Sequence, residues 1–338
     1  MTGFPQRAAE PGATLILPGR DIAGLMTLGD WRDAVEAGFR ASAEGRAHAP
    51  PPMAIEARGG TFHAKGAALR LDRLYVALKL NGNFPGNPGR GLPTIQGAIL
   101  LCDGDTGALL AMIDSIEVTA RRTAAATALA ARYLARPQSR TILICGCGAQ
   151  ATAQLDALRD LFPLDRLLAW DLDPARAGRL ALYARRMGMA ADAIGNLADG
   201  KGSDIVVTCT TAQRPFLTRD LVAPGTFVAA VGADSPDKSE IDPMVFKDAL
   251  VVVDSLDQCR VMGDLHHALA AQTIGIGAVH AELADLVVGR KGGRTSDRQI
   301  TLFDSTGIGL QDVACAATIY ERARRAVDVP SVQLGAAA

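Results

Sequence analysis

Gly146-Cys147-Gly148-Ala149-Gln150-Ala151 follows directly on the apolar run Thr141-Ile142-Leu143-Ile144-Cys145. A glycine loop between a strand and a helix turns backbone N–H groups towards phosphate. The first glycine permits the tight turn, the second lets the backbone approach a pyrophosphate, and the small last residue lets the helix pack closely. A glycine triplet alone is weak; its place after a strand-like run makes it a dinucleotide signal. The next apolar run ends in Asp171, a carboxylate suited to both ribose hydroxyls and repellent to a 2′-phosphate. That predicts NAD rather than NADP, with Arg176 close behind as the softening feature.

Charges also interrupt apolar runs elsewhere. Lys79 stands within Leu74 to Leu80, where an ammonium is expensive to bury without an anionic partner. Asp234 follows the run Phe227 to Val231, at a strand carboxyl end where ligands bind in parallel sheets; its Gly-Ala-Asp-Ser-Pro setting also suits a plain turn. His63 and Lys65 alternate in Thr61 to Gly66 and so share a face, either towards a site or away from it. Two adjacent histidines, His266 and His267, cannot both face one pocket from a regular strand, and with no third ligand no metal is expected.

The elements that must position these residues fall into two textures. Residues up to about Gly12 show no periodicity and read as a mobile arm, with structure expected from near Leu15. Trp31, Val35, Gly38 and Phe39 have helical spacing, with Asp30 placed to cap. Apolar runs at Leu74 to Leu80, Ala98 to Leu101 and Ala108 to Ile113 are parted by turn clusters and predict a small β-rich domain. Asp103 and Asp105 lie in a plain hairpin turn, because no Glu closes a calcium loop. Ser115 to Leu134 is alanine-rich and helical, ending before Pro137. Beyond it, runs at Thr141 to Cys145, Leu167 to Trp170, Ile205 to Thr208, Phe227 to Val231, Leu250 to Val253 and Ile300 to Phe303 alternate with helix-compatible segments, the pattern of a parallel sheet. A last helix, Leu310 to Ala326, is expected to return to the first domain.

The chain of 338 residues, 49% hydrophobic, is long enough for two cores. Its 35 Lys and Arg against 36 Asp and Glu leave no basic field for phosphate backbones, so nucleic acid is not an expected partner. No apolar stretch reaches spanning length and no leader is visible, so neither a membrane nor export is expected and the reading is cytoplasmic. The six cysteines lack zinc or C-x-x-C spacing and read as small hydrophobes in a reducing compartment.

Five segments carry a resemblance: Leu78-Lys79-Leu80-Asn81-Gly82-Asn83, Arg122-Thr123-Ala124-Ala125, Gly146 to Gln150, Val231-Gly232-Ala233-Asp234 followed by Lys238, and Phe303-Asp304-Ser305-Thr306-Gly307. In this order and spacing, from about Pro50 to Arg325, the chain resembles the ornithine cyclodeaminase and mu-crystallin family. The resemblance implies an α/β protein. A Rossmann-type NAD-binding domain would span 119–307, with a smaller α+β substrate-binding and dimerisation domain from 1–118 and 308–338. It implies a homodimer acting on a small amino or imino acid. Lys79 resembles the family's carboxylate-binding lysine and also a catalytic one. Arg122 resembles an arginine that reaches carboxylate and cofactor, and Asp234 resembles the acid–base aspartate. Read from the residues alone, Arg122 fits a solvated helix face and Lys238 an exposed loop. Thr94, Thr123, Gly146, Gly148, Ala149, Gln150, Asp171, Thr210, Val231, Gly232, Ala233, Lys238 and Ser305 resemble cofactor positions, and Thr306 a substrate position.

The chain departs from the family where many members place an arginine that grips the α-carboxylate, since Met53 stands there. His63 and Lys65 replace an acidic residue and a methionine near the substrate, which predicts that the anion-binding cation has moved to Lys65 and weakens the case for ornithine. The expected chemistry is hydride transfer at an α-carbon, as in a cyclodeaminase. A ketimine or cyclic imino acid reductase, or an amino-acid dehydrogenase, is the alternative. A dinucleotide-binding crystallin-like protein without turnover is the alternative of a different class.

Overall fold

The computed structural model describes residues 12–326 and 329–334. The N-terminal residues read as a mobile arm, 1–11, lie outside them. The chain divides into two units between Arg122 and Thr123, within the long helix Ser115–Leu134, and again between Gly307 and Ile308.

The first unit is a mixed sheet with helices. Its strands run in the order Ser331–Val332, Thr14–Leu17, Leu109–Asp114, Ile95–Asp103, Leu74–Asn83, Gly60–Arg70 and Ala47–His48, with Met53–Ala57 also paired to Gly60–Arg70. Antiparallel pairing puts Lys65 directly across from Lys79, and His63 across from Asn81. These four therefore share a face with Tyr75 and Ala77, both buried. Val76, Leu78 and Leu80 alternate onto the other face and are exposed. In the hairpin before Leu109–Asp114, Asp103 Oδ1 accepts the Asp105 and Thr106 N–H groups and the Thr106 hydroxyl, the turn expected from sequence.

Two helices of this unit, Leu28–Ala43 and Gly309–Ala323, pack together, the first amphipathic and the second buried over most of its length. Thr27, rather than Asp30, caps the first: its hydroxyl accepts from Asp30 N while the Asp30 carboxylate accepts from Thr27 N, a reciprocal capping box that the spacing of apolar residues alone does not reveal. The second lies tightly on the sheet, since a Cβ added at Gly309 would fall 2.5 Å from the Gly66 carbonyl oxygen.

The second unit is a Rossmann-type domain. Eight strands, every pairing parallel, run in the order Ala190–Ala193, Arg166–Trp170, Thr141–Cys145, Ile205–Thr208, Phe227–Ala230, Ile300–Asp304, Ala249–Val253 and Val279–Glu282. The central strands are continuous apolar runs because helices cover both faces of such a sheet. Sequence patterning found six of them. Ala190–Ala193 was missed for want of β-branched residues, and Val279–Glu282 because His280 and Glu282 break its apolar pattern. The chain builds outwards from Thr141–Cys145 in both directions, which makes the end of that strand the switch point of the sheet. Among the described residues no helix is long and apolar enough to cross a membrane.

Gly309→Ala should lower the unfolding free energy by about 1–3 kcal/mol, since a methyl group there meets backbone that cannot move aside. Urea denaturation measures it; an unchanged midpoint would show that the helix and sheet can part at Gly66.

Candidate functional site

In the first unit the chemistry is buried. Lys79 is 3% exposed and Arg122 4%, and both meet one carboxylate, that of Asp312 in the helix Gly309–Ala323, which is 1% exposed. Lys79 Nζ lies 2.8 Å from Asp312 Oδ2, and Arg122 Nε 3.1 Å from Asp312 Oδ1. Arg122 Nη1 also donates to Gln311 Oε1 at 2.7 Å. Arg122 is thus part of a buried ion cluster, not a solvated helix face. Two cations share one anion, and Lys65 stands across the strand pair from Lys79. Burial, the Arg122 charge and, more weakly, Lys65 lower the Lys79 amine to about 7 against the pull of Asp312. Burial opposes ionisation of Asp312 too, but Lys79 and Arg122 outweigh it and hold its carboxyl below the usual range. Two cationic side chains thus face a single carboxylate, an arrangement suited to an anionic ligand.

Lys65 and His63 are half-buried on the same face as Lys79. Met53 is paired with Ala64, placing it on the opposite, exposed face with Leu80. Lys65 therefore adds a cation beside Lys79 and does not occupy the place of Met53. Thr94 is half-buried, its carbonyl accepting from Phe84 N at 2.8 Å.

In the second unit the glycine loop sits at the switch point. Gly146 has φ 93°, and a Cβ there would fall 2.8 Å from the Cys209 carbonyl oxygen, so only glycine passes. Gly148 begins the helix Ala149–Arg159 and brings no side chain to its first N–H groups; a Cβ there would meet nothing within 4 Å. Ala149 is exposed and Gln150 half-buried on the first turn, while Ala151 is buried against the sheet. Open space before an uncapped helix start suits a pyrophosphate. Asp171 Oδ2 accepts from Cys147 N at 2.7 Å and Oδ1 from Asp173 N at 2.8 Å, which aims the carboxylate beside the loop.

The loops that leave the next strands hold the remaining expected residues. Val231 N donates to the Thr208 carbonyl at 2.9 Å and Ala233 is buried; Thr123 lies instead in the helix Ser115–Leu134, buried, with its carbonyl accepting from Thr127 Oγ1. Asp234, expected to be partly desolvated, has a side chain 53% exposed and paired with Lys238 at 2.6 Å. Lys238 is thereby tied to Asp234 rather than a free loop charge. The Thr306 hydroxyl is buried: it donates to Asp254 Oδ1 at 3.1 Å and accepts from Gln258 Nε2 at 2.8 Å. Asp254 Oδ2 also takes Ser305 Oγ and Gly307 N, so this carboxylate shapes the whole loop. His266 Nδ1 and His267 Nε2 face the carbonyls of Arg260 and Lys238.

Sequence reasoning missed Asp312, Gln311, Glu240, Asp254, Asp264 and Asp304, all buried. Their signal was present: the test that flagged Lys79, a charge inside an apolar run, applies equally to Asp312 before Val313-Ala314-Cys315-Ala316-Ala317.

The profile of the ornithine cyclodeaminase/mu-crystallin family matches residues 13–326. The chain belongs to this family. It is 38% identical over 310 residues to the alanine dehydrogenase of Archaeoglobus fulgidus, covering 92% of this chain and 95% of that protein. A solved archaeal alanine dehydrogenase dimer with bound NAD superposes with a TM-score of 0.88 at 38% identity, covering 92% and 96% of the two chains. The Δ1-pyrroline-2-carboxylate reductase of Thermococcus litoralis, solved with NADH and L-proline, also gives 0.88, at 32% identity and 92% and 97% coverage. The iminosuccinate reductase of Paracoccus denitrificans with NAD+ gives 0.84 at 32% identity, covering 92% and 97%.

Asp171→Ala should weaken NADH binding about tenfold, the loss of a charge-assisted hydrogen-bond pair, and narrow the gap to NADPH. Fluorescence titration with both cofactors measures this, and an undiminished preference for NADH would remove Asp171 from cofactor choice.

Proposed function

We propose that the protein is an NAD-linked oxidoreductase that transfers hydride at the α-carbon of a small L-amino acid or the corresponding imino acid. The carrying observation is the buried cluster in which Lys79 and Arg122 share Asp312, with Lys65 across from Lys79. A substrate α-carboxylate is the anion that Lys79 and Arg122 would bind beside Asp312. Arg122, held by Asp312 and Gln311, is a rigid partner for it. Lys79, with its amine lowered to about 7, exchanges a proton with the substrate nitrogen near neutrality. Asp234 is a second proton carrier, with Lys238 as its ion partner. Gly146, Gly148, Ala149, Gln150 and Asp171 would hold the pyrophosphate and adenosine ribose of NAD. Thr210, Val231, Gly232, Ala233, Ser305, Thr94, Thr123, Arg122 and Lys238 are the further cofactor positions that family membership supports. Bound NAD supplies the hydride acceptor, and NADH the donor.

The dehydrogenase or imine reductase reading is favoured over ornithine cyclodeamination because Lys65 brings a further cation to the Lys79 face, and Asp312 is already committed to two cations. A side-chain ammonium would meet repulsion there.

Purified protein assayed with NADH and cyclic or acyclic α-imino acids, and with L-alanine, L-proline and NAD, should show NADH-linked turnover. In the amine-oxidising direction Lys79 must be neutral to accept a proton, so kcat/KM should rise with pH through about 7 and then level; in the reducing direction it should fall. Lys79→Met should lose that inflection and on the order of 10²–10⁴-fold in rate. Ammonia and proline formed from L-ornithine without net NADH would replace this reading by a cyclodeaminase, and NADH binding without turnover would leave the crystallin-like binder.

We also propose a homodimer through the outer face of the first unit's sheet, where Met53, Val76, Leu78, Leu80 and Met112 are exposed together. An apolar patch of this kind is unusual on a monomer, and the archaeal alanine dehydrogenase was solved as a dimer. Sedimentation should give two copies for the wild type and one for Leu78→Asp; a Leu78→Asp dimer would rule out this face.

A further inference from the structure

Glu240 is fully buried in the short strand Ser239–Ile241, and no proton or ligand role above uses it. Its Oε1 accepts from Thr210 N at 2.6 Å. Its Oε2 accepts from Gly232 N at 2.9 Å and from Thr208 Oγ1 at 2.7 Å. Thr210 and Gly232 lie on the loops leaving two adjacent parallel strands, Ile205–Thr208 and Phe227–Ala230, so one carboxylate ties two strand ends together. The fit is close: a Cβ at Gly232 would fall 2.5 Å from the Glu240 carboxyl carbon and 2.5 Å from the Thr210 carbonyl oxygen. The clamp also borders the glycine loop, since a Cβ at Gly146 would lie 2.7 Å from Thr210 Cγ2.

Behind Glu240 stands a second carboxylate. Asp264 Oδ1 accepts from Glu240 N at 2.7 Å, Ile241 N at 2.9 Å and Ser239 Oγ at 3.3 Å, fixing the strand that carries Glu240. Burial, with the Asp264 charge adding to it, pushes the Glu240 carboxyl up to about 7, and burial raises Asp264 to about 6. A carboxylate kept at that expense in a closed space calls for a reason. Two fixed backbone N–H donors address its two different oxygens, and no neutral side chain of the same shape accepts from both: a glutamine would turn its NH2 against one of them.

Asp171 lies beyond the glycine loop on the side of Arg166–Trp170, which is the adenosine side of the switch point. The loops clamped by Glu240 lie on the other side, that of the nicotinamide. We propose that Glu240 is the positioning residue for the nicotinamide end of the site, holding Thr210 and Gly232 in register so that the loop running on to Asp234 is presented to the ring. The proposal rests on the dinucleotide reading of this unit.

The test compares two ligands that share the adenosine diphosphate and differ at the far end. NADH and ADP-ribose are titrated calorimetrically at pH 8 into the wild type and Glu240→Gln, with folding checked by circular dichroism. In Glu240→Gln the Kd for NADH should rise about tenfold or more while that for ADP-ribose stays within about twofold. Thr208→Val, which removes the hydroxyl donated to Glu240 Oε2 and leaves every cofactor position unchanged, should give the same split in weaker form and serves if Glu240→Gln does not fold. NADH affinity unchanged in a folded variant, or both ligands weakened in step, overturns the proposal, the second outcome meaning a general structural role. A wild type that binds neither ligand would instead refute the dinucleotide reading.

Discussion

Asp312 sits on the buried part of its helix, 1% exposed, and can be ionised there only because Lys79 and Arg122 reach it at 2.8 and 3.1 Å. Removing either side of such a buried pair leaves an uncompensated charge, at a cost of roughly 3–5 kcal/mol. The strand Leu74–Asn83, the start of the long helix and the helix Gly309–Ala323 are therefore constrained to one arrangement in the first unit. The ratio of two cations to one anion matters as much as the distances. A balanced pair would be inert, whereas this cluster keeps a positive surplus and an amine near neutrality, the two properties needed to hold a carboxylate and move a proton.

The second unit meets a different constraint by similar means. A parallel sheet delivers its strand ends as irregular loops, whose N–H groups need partners once buried. Buried carboxylates supply them: Glu240 for Thr210 and Gly232, Asp254 for Gly307 with the Ser305 and Thr306 hydroxyls, Asp304 for Leu265. Their mutual repulsion is real. Burial, with the neighbouring charges of Asp264 and Asp254, drives Asp304 well above the usual carboxylate range. Acidic residues clustered inside an apolar domain are thus the cost of holding several loops still at one edge of the sheet.

Local sequence logic read well wherever one element carried its own signal. The run Thr141 to Cys145 with its glycines, the alanine-rich helix Ser115–Leu134 and the alternation of His63 and Lys65 were legible because each depends on neighbours in the chain. Lys79 was legible as a buried charge in need of a partner. Its partner was not, since Asp312 comes from the far end of the chain and meets Lys79 only after the helix folds onto the sheet. Asp234 and Thr306 show the opposite dependence. Motif position marked them, but the ion pair to Lys238 and the burial of Thr306 against Asp254 are set by surrounding loops.

By itself, then, the sequence determined the two textures of the chain, the order of the strands along it, the glycine loop at a strand end and the residues whose charge is too costly to leave alone. Tertiary structure decided which charges neutralise which, which face of the first sheet is left apolar and open, and which carboxylates serve loops rather than chemistry. The reason is physical: backbone turns and amphipathic spacing are fixed by adjacent residues, whereas compensation of a buried charge depends on distance in space, and Lys79, Arg122 and Asp312 become neighbours only in the folded unit.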